Sequence, residues 1–143
     1  MTLWTAATGG RRYGLTVSST LVVDGRPARV VGMVDPDSDL RDAIEDSGRF
    51  AVTALAWSHR QLADRFAGQL PAPGGLFAQD DWVESEWGPV PAGALGWLGC
   101  RLEAAAPLGW SQQVTGTVQQ VTLGEDGPGL LHRRGRYHRL DQG

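Results

Sequence analysis

The sequence predicts a mainly β protein, an antiparallel barrel with two short helices. Short β-rich runs recur between turn signals along most of the chain. Only two segments combine helical spacing of apolar residues with capping residues. Many short strands with two helices are typical of an antiparallel barrel. The 143 residues most simply form one domain, residues 1–143, which is large enough to bury a core.

Glycine-containing turns separate the predicted strands. The strands cover residues 4–8, 13–20, 21–23, 28–34, 50–56, 95–104, 113–123 and 130–140. Gly9-Gly10 predicts the first turn, and Asp24-Gly25 is a strong hairpin signal. Asp126-Gly127 predicts the turn before the last strand.

Two segments have the signals of short helices. Residues 35–39 (DPDSD) offer several N-caps to the first helix, and Gly48 stands at its predicted end. Ser58 and Gln61 have the spacing of a capping box for the second helix, which Gly68 ends. The predicted buried faces contain Leu40, Ala43 and Ile44 in the first helix, and Leu62 and Phe66 in the second, residues 59–67.

Two irregular features are predicted in the rest of the chain. Residues 69–81 form a loop rich in Pro and Gly, and a loop of this length in a compact domain is often functional. In the strand 113–123 the apolar set runs through Val114, Gly116 and Val118 and then shifts to Val121 and Leu123. A shift of one residue moves the other face inward, so a β-bulge is expected near Gln119 or Gln120.

Composition disfavours several classes of function. A hydrophobic fraction of 41% and a charged fraction of 20% indicate a globular chain. The net charge of −3 disfavours general nucleic-acid binding, and the apolar runs are too short to span a membrane. The N-terminus lacks the layout of a signal peptide, and the single cysteine, Cys100, fits a reducing compartment. We therefore expect a cytoplasmic protein that binds neither nucleic acid nor membrane.

Patterns of catalytic and metal-binding residues are weak. His59, His132 and His138 have no metal-ligand spacing, and Cys100 stands alone in a predicted strand. Nucleophile-elbow, dinucleotide-binding and P-loop motifs do not occur. No catalytic residue and no metal site are therefore predicted. The six tryptophans suit a core, a pocket for a planar ligand or a subunit interface.

The stretch YGLTVSST, residues 13–20, is unusually rich in hydroxyl groups for a strand. Leu15 and Val17 alternate with Thr16 and Ser18, but a hydroxyl at Ser19 stands where the next apolar residue is due. Either the strand ends there in a hydroxyl-rich turn, or these groups hold a polar ligand.

The order and content of these segments resemble the flavin reductase family, whose domain is an FMN-binding split barrel. The resemblance covers residues 5–140 and is carried by YGLTVSST, VVGMVDPDSDLRDAI, SGRFAVTAL, HRQLADRFAG, LGCRLEAAAPLGWSQQVTGTV and LLHRRGRYHRL. It implies an antiparallel split β-barrel of Greek-key type with two short helices.

The resemblance also implies a site and a reaction. The expected cofactor-binding residues are Thr16, Val17, Ser18, Ser19, Ser38, Thr53, Phe66, Trp110 and Tyr137. The expected cofactor is FMN, with FAD as an alternative, and the expected reductant is NADH or NADPH. Hydroxyl and backbone N–H groups suit the phosphate, the ribityl chain and the polar edge of a flavin. A homodimer that supplies reduced flavin to a monooxygenase partner is the implied function.

Two positions depart from the family pattern. Gly109, Trp110 and Ser111 stand where the family has Gly-Asp-His, which puts ordinary use of NAD(P)H in doubt, although Trp110 could stack on a ring. Thr53 stands where Asn is frequent. Two alternatives therefore stay open: a flavin or deazaflavin protein with another reductase activity, and a non-catalytic ligand-binding barrel.

Overall fold

A computed structural model describes residues 1–141. One antiparallel sheet of seven strands has the order β2-β1-β5-β8-β9-β4-β3, and two pairs of short strands stand beside it. The strands are β1 (Thr2–Thr8), β2 (Arg11–Val17), β3 (Thr20–Val23), β4 (Arg29–Val34), β5 (Arg49–Ala54), β6 (Trp82–Val83), β7 (Val90–Pro91), β8 (Gly96–Leu108), β9 (Ser111–Leu123), β10 (Gly129–Arg133) and β11 (Arg136–Leu140). The helices are α1 (Asp39–Ser47) and α2 (Arg60–Phe66), the latter preceded by a 3₁₀ turn, Trp57–His59.

The large sheet curls so that its two edge strands approach each other. β2 and β3 lie at opposite edges, yet only Ser18 and Ser19 connect them. The Ser19 hydroxyl accepts a hydrogen bond from the Met33 N–H group at 3.2 Å, which ties this link to β4. Strands account for 50% of the chain and helices for 13%, so the predicted split barrel with two short helices is confirmed.

The main core lies between the concave face of the sheet and α1. The rings of Trp4 and Phe50 stack with centroids 4.9 Å apart, and both side chains are fully buried. Gly32 leaves the space that the Trp4 ring occupies, because a Cβ at this position would lie 2.3 Å from that ring. From α1 the side chains of Leu40, Ala43 and Ile44 complete this core, as the apolar spacing predicts.

A second core fixes α2 on the other face of the sheet. Leu62 and Phe66 are buried there, as predicted, and Phe66 contacts the rings of Phe77 and Trp82 edge-on. A Cβ on Gly14 of β2 would lie 2.9 Å from the Phe66 ring. The glycine therefore allows α2 to approach the sheet closely at this point.

The two helices begin differently. For α1 the prediction is confirmed: Ser38 is the N-cap and accepts a bond from Arg41 N–H, and Gly48 ends the helix with φ 70°. For α2 the predicted capping box of Ser58 and Gln61 is wrong, since Ser58 lies inside the 3₁₀ turn. The His59 side chain replaces it, because its Nδ1 accepts the bond of Ala56 N–H at 3.0 Å.

The predicted bulge is confirmed in the long β8–β9 hairpin. Gly99 pairs with Gln120 and Cys100 pairs with Val118, so that Gln119 is the extra residue. A second shift of register occurs at Glu103, between Leu102 and Ala104. Extra residues of this kind bend a strand and increase its twist, which suits a sheet that curls.

Two predicted strands have the wrong bounds, and one pair of strands was not predicted. The strand of residues 13–20 ends at Val17, and the chain then turns. Residues 130–140 are not one strand but the β10–β11 hairpin, since Arg134 (φ 53°) and Gly135 (φ 77°) form a two-residue turn. The pair β6–β7 after the loop 69–81 was not predicted at all. Within residues 1–141 no helix is long and apolar enough to cross a membrane.

Candidate functional site

A cavity of about 590 Å³ opens where the end of β2, the end of α2 and the β10–β11 hairpin meet. Its lining consists of Met1, Thr16, Ser18, Asp64, Ala67, Gln69, His132, Gly135 and Tyr137. The volume lies within the range of roughly 300–1,000 Å³ that is usual for small-molecule sites. We call it the β2–α2 cavity; it contains three of the residues that the sequence places in a cofactor site.

Thr16 and Ser18 reach this cavity because of how β2 ends. The Thr16 hydroxyl donates a hydrogen bond of 2.7 Å to the carbonyl of Ala63, which ties β2 to α2. Ser18 follows the last strand residue and is exposed. Among the residues that the structure describes, its hydroxyl has no hydrogen-bond partner, so both its donor and its acceptor capacity are available to a ligand.

The other two Ser and Thr hydroxyls of residues 13–20 have structural partners. Ser19 bonds to the backbone of Met33, and Thr20 accepts the indole N–H of Trp4 at 3.1 Å. Thr20 also lies 2.8 Å from the hydroxyl of Thr2. The strand therefore ends in a hydroxyl-rich turn, and Ser18 is the member of this set that is free to contact a ligand.

Tyr137 forms the opposite wall with a fixed orientation. Its hydroxyl donates a 2.6 Å hydrogen bond to Oδ1 of Asp64, and its ring contacts the ring of His132 with centroids 5.2 Å apart. Burial, together with the hydrogen bond to Asp64 and the negative charge of that carboxylate, raises the pKa of Tyr137. The phenol therefore stays protonated and remains a hydrogen-bond donor at neutral pH.

The charge around this cavity is uneven. Asp64 is the one carboxylate among the lining residues, and no ion pair within residues 1–141 includes it. The lining contains no arginine, whereas Arg133, Arg134 and Arg136 are exposed on the same hairpin. The lining thus presents hydroxyl, amide and imidazole groups beside the carboxylate of Asp64.

Three other predicted residues lie in the interior. Val17 and Phe66 are 4% and 2% exposed and belong to the two cores. Thr53 is completely buried on β5, and its hydroxyl has no partner among the described residues. These side chains do not line the β2–α2 cavity, so a direct cofactor contact through them is not supported by their positions.

Trp110 and Ser38 are also outside this cavity. Trp110 is 97% exposed at the turn of the β8–β9 hairpin. Ser38 lines a second, wider cavity of about 850 Å³ between β2, the start of α1 and the loop around Gly74 and Gly75. Its hydroxyl already caps α1 and donates to the carbonyl of Asp35 at 2.7 Å.

Sequence reasoning missed six lining residues: Met1, Asp64, Ala67, Gln69, His132 and Gly135. The turn Arg134-Gly135 places His132 opposite Tyr137, but only its glycine is a residue typical of such two-residue turns. Asp64 lies three residues before Ala67 on the same helix face, but no local pattern shows what that face meets.

The chain offers no other evident reactive centre among the described residues. No group of three or more His, Cys, Asp or Glu side chains there could hold a metal ion. Burial raises the pKa of the Cys100 thiol to about 12, so that this cysteine is an inert core residue.

Comparison with known proteins gives a consistent result. The flavin reductase like domain family matches residues 1–141. The reductase component of 4-hydroxyphenylacetate 3-monooxygenase from Thermus thermophilus is 32% identical over 98% of this chain and 87% of its own length.

Two solved structures have the same fold over almost all of their length. Flavin reductase PheA2 is 26% identical, with a TM-score of 0.87 over 99% of this chain and 89% of its own. The NADH:FAD oxidoreductase SgcE6 of Streptomyces globisporus, in complex with NAD and FAD fragments, is also 26% identical, with a TM-score of 0.87 over 98% and 84% of the two chains. The chain belongs to the flavin reductase like domain family.

Proposed function

We propose that the protein is an NAD(P)H-dependent flavin reductase that supplies reduced flavin to a monooxygenase partner. The observation that carries this proposal is the β2–α2 cavity, where Thr16, Ser18 and Tyr137 meet in a chain of the flavin reductase family. The Thermus relative, named as a monooxygenase reductase component, supports the partner.

The lining of the cavity fits part of a flavin. The hydroxyl of Ser18, the amide of Gln69 and the imidazole of His132 can exchange hydrogen bonds with ribityl hydroxyls and with the carbonyl groups of the ring edge. The lining residues offer no arginine for a phosphate. We therefore assign the β2–α2 cavity to the neutral part of the flavin, and FMN and FAD both contain that part.

A bound flavin would supply the redox chemistry, namely the acceptance of a hydride equivalent from a nicotinamide. The chain would contribute binding and orientation. Thr16 and its bond to Ala63 hold the wall of the cavity in place, and Ser18 donates to the ligand. Tyr137 and Asp64 fix the opposite wall. No side chain of the chain has to gain or lose a proton in this scheme.

The use of NADH or NADPH belongs to the proposal because Trp110 and Ser111 replace the residues that the family has in this turn. Trp110 lies at the tip of a long hairpin and does not line the β2–α2 cavity. If it stacks on a ring, that ring lies outside the β2–α2 cavity of its own chain.

A homodimer is the second part of the proposal. The edge strand β3 exposes Leu21, Val22 and Val23 at 67%, 63% and 45%, and the hairpin tip exposes Trp110. Exposed apolar edge strands favour pairing with another chain, and a second copy carries the same edge. The single-domain organisation and the cytoplasmic location stay predictions.

Absorbance at 340 nm tests the function. Purified protein with FMN or FAD should oxidise NADH or NADPH, and reduced flavin should be released. Binding of FMN without oxidation of either nicotinamide would favour the alternative of another flavin- or deazaflavin-dependent activity. Absence of binding to FMN, FAD and a deazaflavin would leave the non-catalytic barrel. Sedimentation of a flavin-bound monomer at micromolar concentration would contradict the dimer.

A further inference from the structure

The carboxylate of Asp64 is a polar group of the β2–α2 cavity to which the proposed function gives no contact with the ligand. It lies on α2, lines the cavity, and uses one oxygen, Oδ1, to accept the hydroxyl of Tyr137 at 2.6 Å. A carboxylate has two oxygens and about four acceptor positions. Most of its acceptor capacity is therefore not used by the Tyr137 bond.

No cation neutralises this carboxylate within residues 1–141. The neighbouring arginine on α2, Arg65, pairs instead with Asp80 at 2.5 Å. The nearby ring of His132 contacts Tyr137, and the ion pairs of the described residues do not include Asp64. An unpaired carboxylate in a cavity favours a ligand that donates hydrogen bonds and disfavours a phosphate at the same place.

Tyr137 fixes the direction in which the carboxylate points. Its backbone lies on β11, whose partner β10 contributes Leu130 to the core below α2. The bond between Tyr137 and Asp64 thus joins two elements that are 73 residues apart in the sequence. A carboxylate held in this way loses little conformational entropy when it binds a ligand, because its orientation is already fixed in the free protein.

We infer that Asp64, positioned by Tyr137, binds vicinal hydroxyl groups and thereby selects a ligand with an unesterified polyol at this place. A carboxylate accepts two adjacent hydroxyls well, as acidic residues do for the ribose of dinucleotides. This inference rests on the proposed function for the identity of the ligand. The polyol is either the ribityl chain of the flavin or a ribose of the nicotinamide dinucleotide.

Equilibrium binding of riboflavin and lumiflavin tests the ribityl source. Both compounds have the same ring system, neither has a phosphate, and only riboflavin has the polyol chain. Asp64→Asn keeps the size of the side chain but replaces charge-assisted bonds by neutral ones, which are about half as strong. We expect riboflavin to bind about three- to tenfold more weakly to this variant, with the affinity for lumiflavin unchanged within about twofold.

Steady-state kinetics with NADH and NADPH test the ribose source. If Asp64 contacts a ribose, Asp64→Asn should raise the KM for NADH about three- to tenfold and reduce the preference for NADH over its 2′-phosphorylated form. In that case the ratio of riboflavin to lumiflavin affinity stays as in the wild type.

Tyr137→Phe tests the positioning role in the same assays. Loss of its hydroxyl should lower the same selectivity as Asp64→Asn, whereas a purely structural defect would weaken the binding of riboflavin and lumiflavin equally. Asp42→Asn is the matched control, since Asp42 is an exposed aspartate on the other helix and does not line the cavity. It should leave both ratios unchanged.

The outcomes separate this inference from the proposed function. Loss of riboflavin selectivity in a protein that does not oxidise NADH or NADPH would support the role of Asp64 and refute the reductase. An active reductase in which Asp64→Asn changes neither the flavin ratio nor the nicotinamide preference would overturn the role of Asp64 alone. A wild type that neither binds riboflavin nor oxidises NADH would overturn both.

Discussion

Removal of the Ser18 hydroxyl is the change that most directly tests the candidate site. Ser18 is exposed, follows the last residue of β2, and has no hydrogen-bond partner among residues 1–141. Its replacement by alanine should therefore change the free energy of unfolding by no more than about 0.5 kcal/mol, the usual limit for such surface positions. Any effect on binding would come from the ligand contact.

The size of that effect follows from the chemistry of the lining. A hydrogen bond to a neutral ribityl hydroxyl or ring carbonyl contributes about 0.5–1.5 kcal/mol, so Ser18→Ala should weaken the binding of FMN about two- to tenfold. A bond to the charged phosphate would be worth about 1.5–3 kcal/mol and would cost more affinity.

Thr16 gives the informative contrast. Its hydroxyl donates to the carbonyl of Ala63, which also accepts the N–H group of Ala67 at 3.0 Å. Thr16→Val should therefore lower the free energy of unfolding by about 0.5–1.5 kcal/mol without leaving that carbonyl unbonded. Replacement of Thr16 thus affects the fold as well as the cavity.

Quenching of FMN fluorescence measures affinity, and chemical denaturation measures stability. Thr122→Ala is the control, because Thr122 lies on β9 and only accepts an exposed bond from Gln120. Unchanged FMN affinity in Ser18→Ala, together with an unchanged affinity in Thr16→Val, would refute the assignment of this cavity to the flavin. A loss of stability in Ser18→Ala beyond 1 kcal/mol, as a rough threshold, would contradict the argument that its hydroxyl is free.

Three further predictions concern the fold around the site. Gly14→Ala should destabilise the protein by about 1–3 kcal/mol, because the new Cβ meets the buried Phe66 ring at 2.9 Å. Gly127→Ala is the control, since its new Cβ has its nearest neighbour at 3.7 Å; it should change the free energy of unfolding by no more than about 0.5 kcal/mol in the same denaturation assay. The pKa of Tyr137 in the folded protein is raised above its ordinary value of 10.0, so the contribution of this residue to stability should be complete below about pH 10 and be lost as the pH rises through the folded-state pKa. Tyr137→Phe should lose this pH dependence of the free energy of unfolding. An identical pH dependence in both proteins would exclude Tyr137 as its source. Cys100 should react with a thiol reagent at pH 8 only after unfolding, because it is fully buried and its pKa is raised to about 12; rapid labelling of the native protein, followed by absorbance, would contradict this.

Local patterns were sufficient to predict most of the fold. The capping residues of α1, the apolar faces of both helices and the bulge at Gln119 follow from short-range spacing, and the structure has all of them. The β10–β11 hairpin was missed because Arg134 adopts a positive φ that is uncommon for a residue other than glycine. The start of α2 was misjudged because His59, rather than a Ser hydroxyl, satisfies the free N–H group.

The site was harder to predict, for a physical reason. Thr16, Ser18 and Tyr137 come from opposite ends of the chain, and family resemblance, not periodicity, placed them together. Asp64 enters the site through its bond to Tyr137, a contact that depends on how α2 packs against a hairpin. Phe66 matches a family position and Thr53 stands at another, where Asn is frequent, but both side chains are covered by other elements.

The short link between the two edge strands sets the curvature of the whole sheet. A flat sheet of seven strands would separate its edges by about 29 Å, given a spacing of about 4.8 Å between neighbours. From Val17 to Thr20 the chain makes three Cα steps, which reach at most about 11 Å. The covalent length of the chain at Ser18 and Ser19 thus forces the sheet to curl, and it holds Ser18, a residue of the β2–α2 cavity, beside the opposite edge of the sheet. Each residue inserted at this point would lengthen the link by up to about 3.6 Å and would relax this constraint on the curvature.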